Sequence, residues 1–348
     1  MIFFRLDANS QVATGHLYRC LSIAKQCQRL GKECGFILSS DEYREFVIGS
    51  GFSCTALDLK WDDWDYGLEA LKAFLAENHA ECLLVDSYHV TASFFEGLGH
   101  VVPVFYLDDL CKEAYDVDAV LHYSEWDGDH YLEELYKEKD VSVFAGMKYM
   151  PLREAFHEIK PSKKEFDLLI TTGGTDPHHV TLKLLESIGG KKALNDLSVC
   201  VILGRFNEDE EQIRELIARL KSNGREGQIT IFRNVTNMKE LMCASKLAIT
   251  SGGTTVYELM ACGVPFVCFG FSDDQKVFGE RLSKHGNAFW GGDVRGKKEF
   301  VSDLMQAFEK LLALPAEEFQ RMKDNNQRLV DGKGAERIAK LLISIINQ

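Results

Sequence analysis

Three stretches of the sequence set glycine beside small polar or basic side chains where a run of apolar residues ends. In the first, Asp7-Ala8-Asn9-Ser10-Gln11-Val12-Ala13-Thr14-Gly15-His16 leads from an apolar opening into an amphipathic segment. Glycine admits a ligand close to the backbone, and a following helix N-terminus offers unpaired N–H groups to an anion. The dipole of that helix favours a neutral base at His16; a plain surface histidine at a helix start is the alternative. The second stretch is Thr171-Thr172-Gly173-Gly174-Thr175-Asp176-Pro177. Amides of Gly174 and Thr175 and the Thr175 hydroxyl could hold a phosphate, with Pro177 at the first helical position and Asp176 either a ligand or a helix cap. The third is Thr250-Ser251-Gly252-Gly253-Thr254-Thr255-Val256-Tyr257-Glu258. Glu258 lies four residues beyond Thr254, on the same helical face, where a carboxylate can accept both hydroxyls of a ribose; a capping or salt-bridged glutamate is the alternative. Asp274 and Gln275, after Phe271-Ser272-Asp273, can bond sugar hydroxyls, unless Asp273 simply caps a helix. Asp86-Ser87-Tyr88-His89 and Leu107-Asp108-Asp109 also close apolar runs, and their carboxylates and tyrosine suit substrate positioning, although aspartate often ends a parallel strand as a cap.

These residues need a scaffold that brings strand ends together, and the sequence pattern supplies one. Short apolar runs at 2–6, 34–38, 52–57, 82–86 and 102–107 alternate with amphipathic segments at 17–30, 41–48, 65–77 and 91–98. Leu17, Cys20, Leu21, Ala24 and Cys27 recur at helical spacing, and Gly31 suits a C-cap. The pattern restarts with strands expected at 166–171, 197–203, 228–232, 247–250 and 266–269. Helices are expected at 177–188, 208–220, 235–243, 254–262 and 274–284, with a wholly helical stretch after Gly296. Such alternation means βαβ units around parallel sheets. The polar run Pro161-Ser162-Lys163-Lys164 suits a linker. The expected organisation is α/β, with Rossmann-like domains over 1–160 and 161–348 whose parallel sheets face one another across a cleft.

A chain of 348 residues fits two domains. No apolar run reaches the roughly 18 residues of a membrane span, so no membrane insertion is expected. The opening Met1-Ile2-Phe3-Phe4-Arg5 reads as a strand rather than a secretory signal. Ten cysteines form no CxxC pair, and Cys82, Cys200 and Cys268 fall inside apolar runs; reduced core thiols in the cytoplasm are expected. A net charge of −13 argues against nucleic acid as a partner. GxxxxGK[ST], HExxH and cysteine ligand spacings are absent, and no GxGxxG follows the first run, so P-loop ATP phosphoryl transfer, a metal site and a nicotinamide cofactor are not indicated.

Gly15-His16, Gly173-Gly174-Thr175-Asp176 and Ser251-Gly252-Gly253-Thr254 with Glu258, Asp274 and Gln275 resemble the GT-B glycosyltransferases of the peptidoglycan type. The chain is similar more closely to their hydrolytic relatives, the UDP-2,4-diacetamido-2,4,6-trideoxy-β-L-altropyranose hydrolases of pseudaminic acid biosynthesis. Phe4-Arg5-Leu6-Asp7, Asp86-Ser87-Tyr88, Asp108-Asp109 and Tyr149-Met150-Pro151-Leu152-Arg153-Glu154-Ala155-Phe156 carry that resemblance in order, up to about residue 290. It implies water attack on the anomeric carbon of a UDP-sugar, releasing UDP and free sugar. It further implies His16 as the base, with Gly15 in its turn and Tyr88, Asp108 and Asp109 positioning the sugar. Asn234 and Val235 would meet uracil through their backbone, Glu258 the ribose, and the two later glycine turns the pyrophosphate. Asp274 stands where the family has asparagine, and His89 where it has a small residue; both bear on which sugar is taken. A glycosyltransferase using an acceptor other than water is the alternative.

Overall fold

The computed structural model describes residues 1–9, 15–124, 126, 129–160, 162–297 and 299–347; residues 10–14 of the first glycine turn lie outside the described residues. The chain divides into two compact units, Met1–His157 with Val330–Gln348, and Glu158–Leu329.

The first unit runs β1 (Ile2–Leu6), α1 (Gly15–Arg29), β2 (Cys34–Leu38), α2 (Arg44–Gly49), β3 (Ser53–Ala56), α3 (Leu68–Glu77) and β4 (Cys82–Asp86). It continues through α4 (Ala92–Leu98), β5 (Val104–Leu107), β6 (Ala119–His122), α5 (Tyr131–Leu135) and β7 (Ser142–Ala145). Its strands form one parallel sheet in the order β3-β2-β1-β4-β5-β6-β7. β1, β2 and β4 are buried along their whole length, as parallel strands covered on both faces must be. β6 and β7 were not expected from the sequence. Each is four residues long, and β7 is half-exposed at a sheet edge, so neither leaves a long apolar run.

In the second unit the order is β8 (Phe166–Thr171), α6 (Val180–Gly189), β9 (Val199–Leu203), α7 (Glu210–Ser222), β10 (Ile229–Arg233) and α8 (Met238–Cys243). Then come β11 (Ser245–Ser251), α9 (Thr255–Cys262), β12 (Phe266–Gly270), α10 (Asp273–Lys284), β13 (Phe289–Asp293), α11 (Phe300–Leu312) and α12 (Ala316–Leu329). The parallel sheet order is β10-β9-β8-β11-β12-β13. β13 was also unexpected, because Gly291 and Gly292 interrupt its apolar pattern.

In both sheets the chain moves outward from the first strand, then returns to that strand's other side. The reversals fall between β1 and β4 and between β8 and β11. Ligands of open parallel sheets bind beyond the carboxyl ends of strands at such reversals.

The last helix, α13 (Gly334–Ile346), belongs to the first unit. A division into 1–160 and 161–348 leaves it in the second, whereas the family resemblance implies that the last helix returns to brace the first. Ala335, Ile338, Ala339 and Leu342 form its buried stripe, and it packs on α1. A Cβ at Gly334 would lie 2.1 Å from the Met150 carbonyl oxygen, so only glycine lets the helix start there. Arg337 closes the contact by donating to the Lys148 carbonyl at 2.8 Å and to Asp331 at 2.7 Å.

Candidate active site

At the reversal of the first sheet, α1 brings a histidine and an arginine onto the carboxylate that ends β4. His16 Nδ1 lies 2.7 Å from Asp86 Oδ1, and both side chains are buried. Arg19, one helical turn on, donates through Nε to Asp86 Oδ2 and through Nη2 to Oδ1. Its Nη1 reaches Asp109 Oδ2 at 2.7 Å and the Tyr123 hydroxyl. Arg19 Nη2 also stands 2.9 Å from His16 Nδ1. Guanidinium nitrogens only donate, so these two nitrogens are neighbours through their shared acceptor, Asp86 Oδ1. A carboxylate oxygen only accepts, so His16 donates to Asp86 through Nδ1, and Nε2 is the ring nitrogen that accepts when the imidazole is neutral.

Burial alone would raise the Asp86 carboxyl, but the Arg19 charge and the hydrogen bonds from Arg19 and His16 hold it well below the usual carboxylate range. It is a fixed anion that orients the imidazole. The Tyr88 ring meets His16 edge-on at 4.6 Å. Although Tyr88 is 47% exposed, desolvation around its ring and the nearby Asp109 carboxylate push the phenol up, so it stays a neutral hydroxyl. Asp108 points differently. Its Oδ1 accepts the amides of Leu110 (3.1 Å) and Cys111 (2.8 Å), while Oδ2 is buried with no partner among the described residues. Burial pushes this carboxyl up. Arg153 lies on the segment that receives α13, its guanidinium 5.6 Å from the Phe156 ring centre.

At the reversal of the second sheet the two glycine turns touch. Ser251 Oγ donates to the Thr172 carbonyl at 3.0 Å, and the Gly252 amide bonds Phe269 at 2.8 Å. Gln275 Oε1 accepts the Phe271 amide at 3.2 Å, bracing the turn after β12, and Asp274 is exposed at the start of α10. Asp273 does not cap that helix; Ser272 stands at the cap position and Asp273 pairs with Arg295 at 2.6 Å.

The expected helix start at Pro177 is not found. α6 begins at Val180 because Asp176 accepts the amides of Val180 (2.8 Å) and Thr181 (2.9 Å). Both oxygens of Asp176 thus serve the helix, and the Gly173–Thr175 turn precedes α6 by several residues instead of opening it.

Gly173 needs glycine for its positive φ of 88°. Gly204 needs it because a Cβ would meet Gly173 O at 2.1 Å. Gly174 and Gly253 differ: a Cβ on either would have no neighbour within 4 Å among the described residues. Nothing in the chain itself demands glycine at those two positions. Thr175 and Thr254 are exposed beside them, and Thr254 precedes α9, whose Val256 and Tyr257 amides bond back to the Gly253 and Thr254 carbonyls at 3.1 Å. Glu258 is buried in the first turn of α9. Asn234 takes a left-handed φ of 51° where the chain leaves β10, and Val235 follows it half-buried.

Arg19 and Tyr123 carry much of the first cluster, yet the sequence pattern assigned them no role, and it gave no sign that Asp86 would anchor a histidine. Arg19 falls outside the apolar stripe of α1, so the pattern did not mark it; once buried, an arginine requires an acid partner. Among the described residues no group of three or more His, Cys, Asp or Glu could hold a metal, and no helix is long and apolar enough to cross a membrane.

The family model of the glycosyltransferase family 28 C-terminal domain matches residues 168–342. A Methanocaldococcus jannaschii protein described as uncharacterized protein MJ1062 is 27% identical over 275 residues, 75% of this chain. The chain spans only 54% of that relative's length. The UDP-2,4-diacetamido-2,4,6-trideoxy-beta-L-altropyranose hydrolase of Campylobacter jejuni is 23% identical over 293 residues, 82% of this chain and 97% of that protein. Among solved structures, MurG of Acinetobacter baumannii superposes with a TM-score of 0.72 at 13% identity, covering 99% of both chains. UGT2 of Phytolacca americana, complexed with UDP-2fluoro-glucose and pterostilbene, gives 0.67 at 10% identity over 100% of both chains. These likenesses establish a two-domain GT-B fold.

Proposed function

From a chain that belongs to the family marked by the glycosyltransferase family 28 C-terminal domain, we propose an enzyme that moves the glycosyl group of a UDP-sugar onto water. The observation that carries this reading is the His16–Asp86–Arg19 arrangement, which leaves Nε2 of a buried histidine as a fixed acceptor. A water oxygen attacks the anomeric carbon while Nε2 takes its proton, the anomeric C–O bond breaks, and UDP leaves. Tyr88, Asp108 and Asp109 position the sugar. The second unit takes UDP: the amides of Gly174, Thr175, Gly253 and Thr254 receive the pyrophosphate, Glu258 the ribose, and Asn234 and Val235 the base. The two glycines that the chain does not itself require support that assignment, since phosphate needs the room a Cβ would take. Developing charge on UDP is met by amides and the N-terminus of α9, so turnover is expected to continue in EDTA. Ten free, buried thiols suit a reducing compartment, and we place the protein in the cytoplasm.

The name of the Campylobacter jejuni relative supports hydrolysis, and the family and MurG support transfer to an acceptor. One experiment separates them. UDP-hexoses and UDP-N-acetylhexosamines are incubated with the protein in 18O-labelled water without acceptor. UDP release with label on the free sugar establishes hydrolysis at the anomeric carbon. Label on UDP, or no release until an acceptor is added, refutes it.

A further inference from the structure

The connection from β3 to α3, residues 57–67, leaves the edge of the first sheet and ends at a helix packed on α4. An ion pair buried at the end of β1 fixes its path. Arg5 and Asp7, 2% and 1% exposed, pair at 3.2 Å. The Arg5 guanidinium donates to the Lys60 carbonyl at 3.2 Å and lies 4.1 Å from the centre of the Trp64 ring. Asp7 accepts from Trp64 Nε1 at 3.2 Å and from the Ser87 hydroxyl, whose oxygen accepts the His89 amide at 3.0 Å. A buried ion pair is tolerated only where its remaining hydrogen bonds are met, and here both loops meet them. One carboxylate therefore ties the 57–67 loop to the turn that carries Tyr88.

Other carboxylates brace the loop itself. Asp58 accepts the Tyr66 hydroxyl at 3.3 Å, Asp63 the Tyr66 amide at 3.3 Å, and Asp65 the Thr91 hydroxyl at 2.9 Å. The loop sets Trp61, half-buried, with its ring edge-on to His89 at 5.2 Å. His89 follows Tyr88, whose ring meets His16. Trp61 thus stands against His89, and the next residue back along the chain, Tyr88, meets the proposed base.

We infer that Trp61 is a specificity-determining residue of the proposed reaction, its indole carrying the apolar C–H face of the pyranose beside Tyr88. Ring faces are electron-rich and attract the weakly positive C–H groups of a sugar. Because Arg5 and Asp7 pin the loop, little ordering is lost when the sugar binds.

The inference rests on the UDP-sugar reading, and its test keeps the two apart. UDP affinity is measured by calorimetry, and kcat and KM with a panel of UDP-hexoses and UDP-N-acetylhexosamines, for wild type, W61A and W61F. UDP affinity should agree within about twofold across the three, which also reports an intact second unit. For the sugar that wild type turns over fastest, W61A should raise KM about tenfold with kcat little changed. The order of preference across the panel should flatten, and W61F should recover most of the loss. Unchanged KM and panel order in W61A overturn the inference alone, as does a fall in kcat in both variants with KM unmoved, which would mark a disturbed His16. A wild type that binds no UDP, or turns over no panel member, overturns the functional reading and this inference with it.

Discussion

Two carboxylates end adjacent strands of the first sheet, and their surroundings drive them in opposite directions. Asp86 ends β4 under Arg19 and His16; Asp108 follows β5 with one oxygen capping a turn and the other buried alone. The native Asp86 carboxyl lies below its unfolded value, so its contribution to stability is complete above about pH 4 and is lost as pH falls through the native value. The gap in thermal stability between wild type and Asp86→Asn should therefore be widest near neutrality and shrink below about pH 4. Asp108 is raised, so wild type loses stability as pH climbs from about 4 through the native value. Asp108→Asn keeps an acceptor for the Leu110 and Cys111 amides without burying a charge. It should thus overtake wild type in the same melts as pH rises; a variant that is less stable at pH 7 and not at pH 4 would contradict this account. In the proposed reaction, turnover depends on His16. His16→Asn keeps the size and a polar edge but removes the base, and kcat should fall at least about a hundredfold with UDP affinity unchanged. Retention of most turnover would reduce His16 to a turn residue.

Helix starts are where sequence and packing part company. A proline after two glycines and an aspartate reads as the opening of a helix, yet Asp176 captures the amides of Val180 and Thr181 and delays α6 to Val180. The Gly173–Thr175 turn is left as a loop braced by Ser251, and Gly204 passes within van der Waals range of it. Glycines of these turns fall into two kinds, and substitution should sort them. Gly204→Ala forces a Cβ onto the Gly173 carbonyl and should lower both stability and UDP affinity. Gly253→Ala meets no atom within 4 Å among the described residues, so its melting temperature should stay near wild type while calorimetry shows weakened UDP. Equal UDP affinity in a folded Gly253→Ala would remove α9 from the pyrophosphate site. Glu258→Ala belongs to the same helix and should weaken UDP by about 1–3 kcal/mol, the scale of a lost charge-assisted hydrogen bond.

Across the whole chain, each unit has its own sheet and its own apolar core. The chain nevertheless completes the first unit last, with a helix that follows everything in the second. Ile338 is fully buried in that helix, so Ile338→Ala should cost about 2–5 kcal/mol. The loss should appear in the unfolding of the first unit, followed by near-ultraviolet circular dichroism in denaturant, while UDP binding by the folded protein stays as in wild type. Loss of UDP affinity under native conditions would show that α13 serves the second unit instead.

Short apolar runs and period-3.6 patterning, read along the chain alone, determined the α/β class, the two repeats of strand–helix alternation and the strand-end turns at Gly173–Thr175 and Ser251–Thr254. That information is local, because a strand covered on both faces must be apolar throughout. Short edge strands such as β6 and β7 carry too little of it to stand out. The tertiary structure decided what depends on chain segments far apart meeting. Asp86 becomes the partner of His16 and Arg19 only when β4 inserts beside β1, some 70 residues later in the chain. Asp176 sets the start of α6 only because the folded turn brings its oxygens onto the Val180 and Thr181 amides. α13 joins the first unit because its apolar stripe finds α1, a contact across about 300 residues that no local pattern encodes.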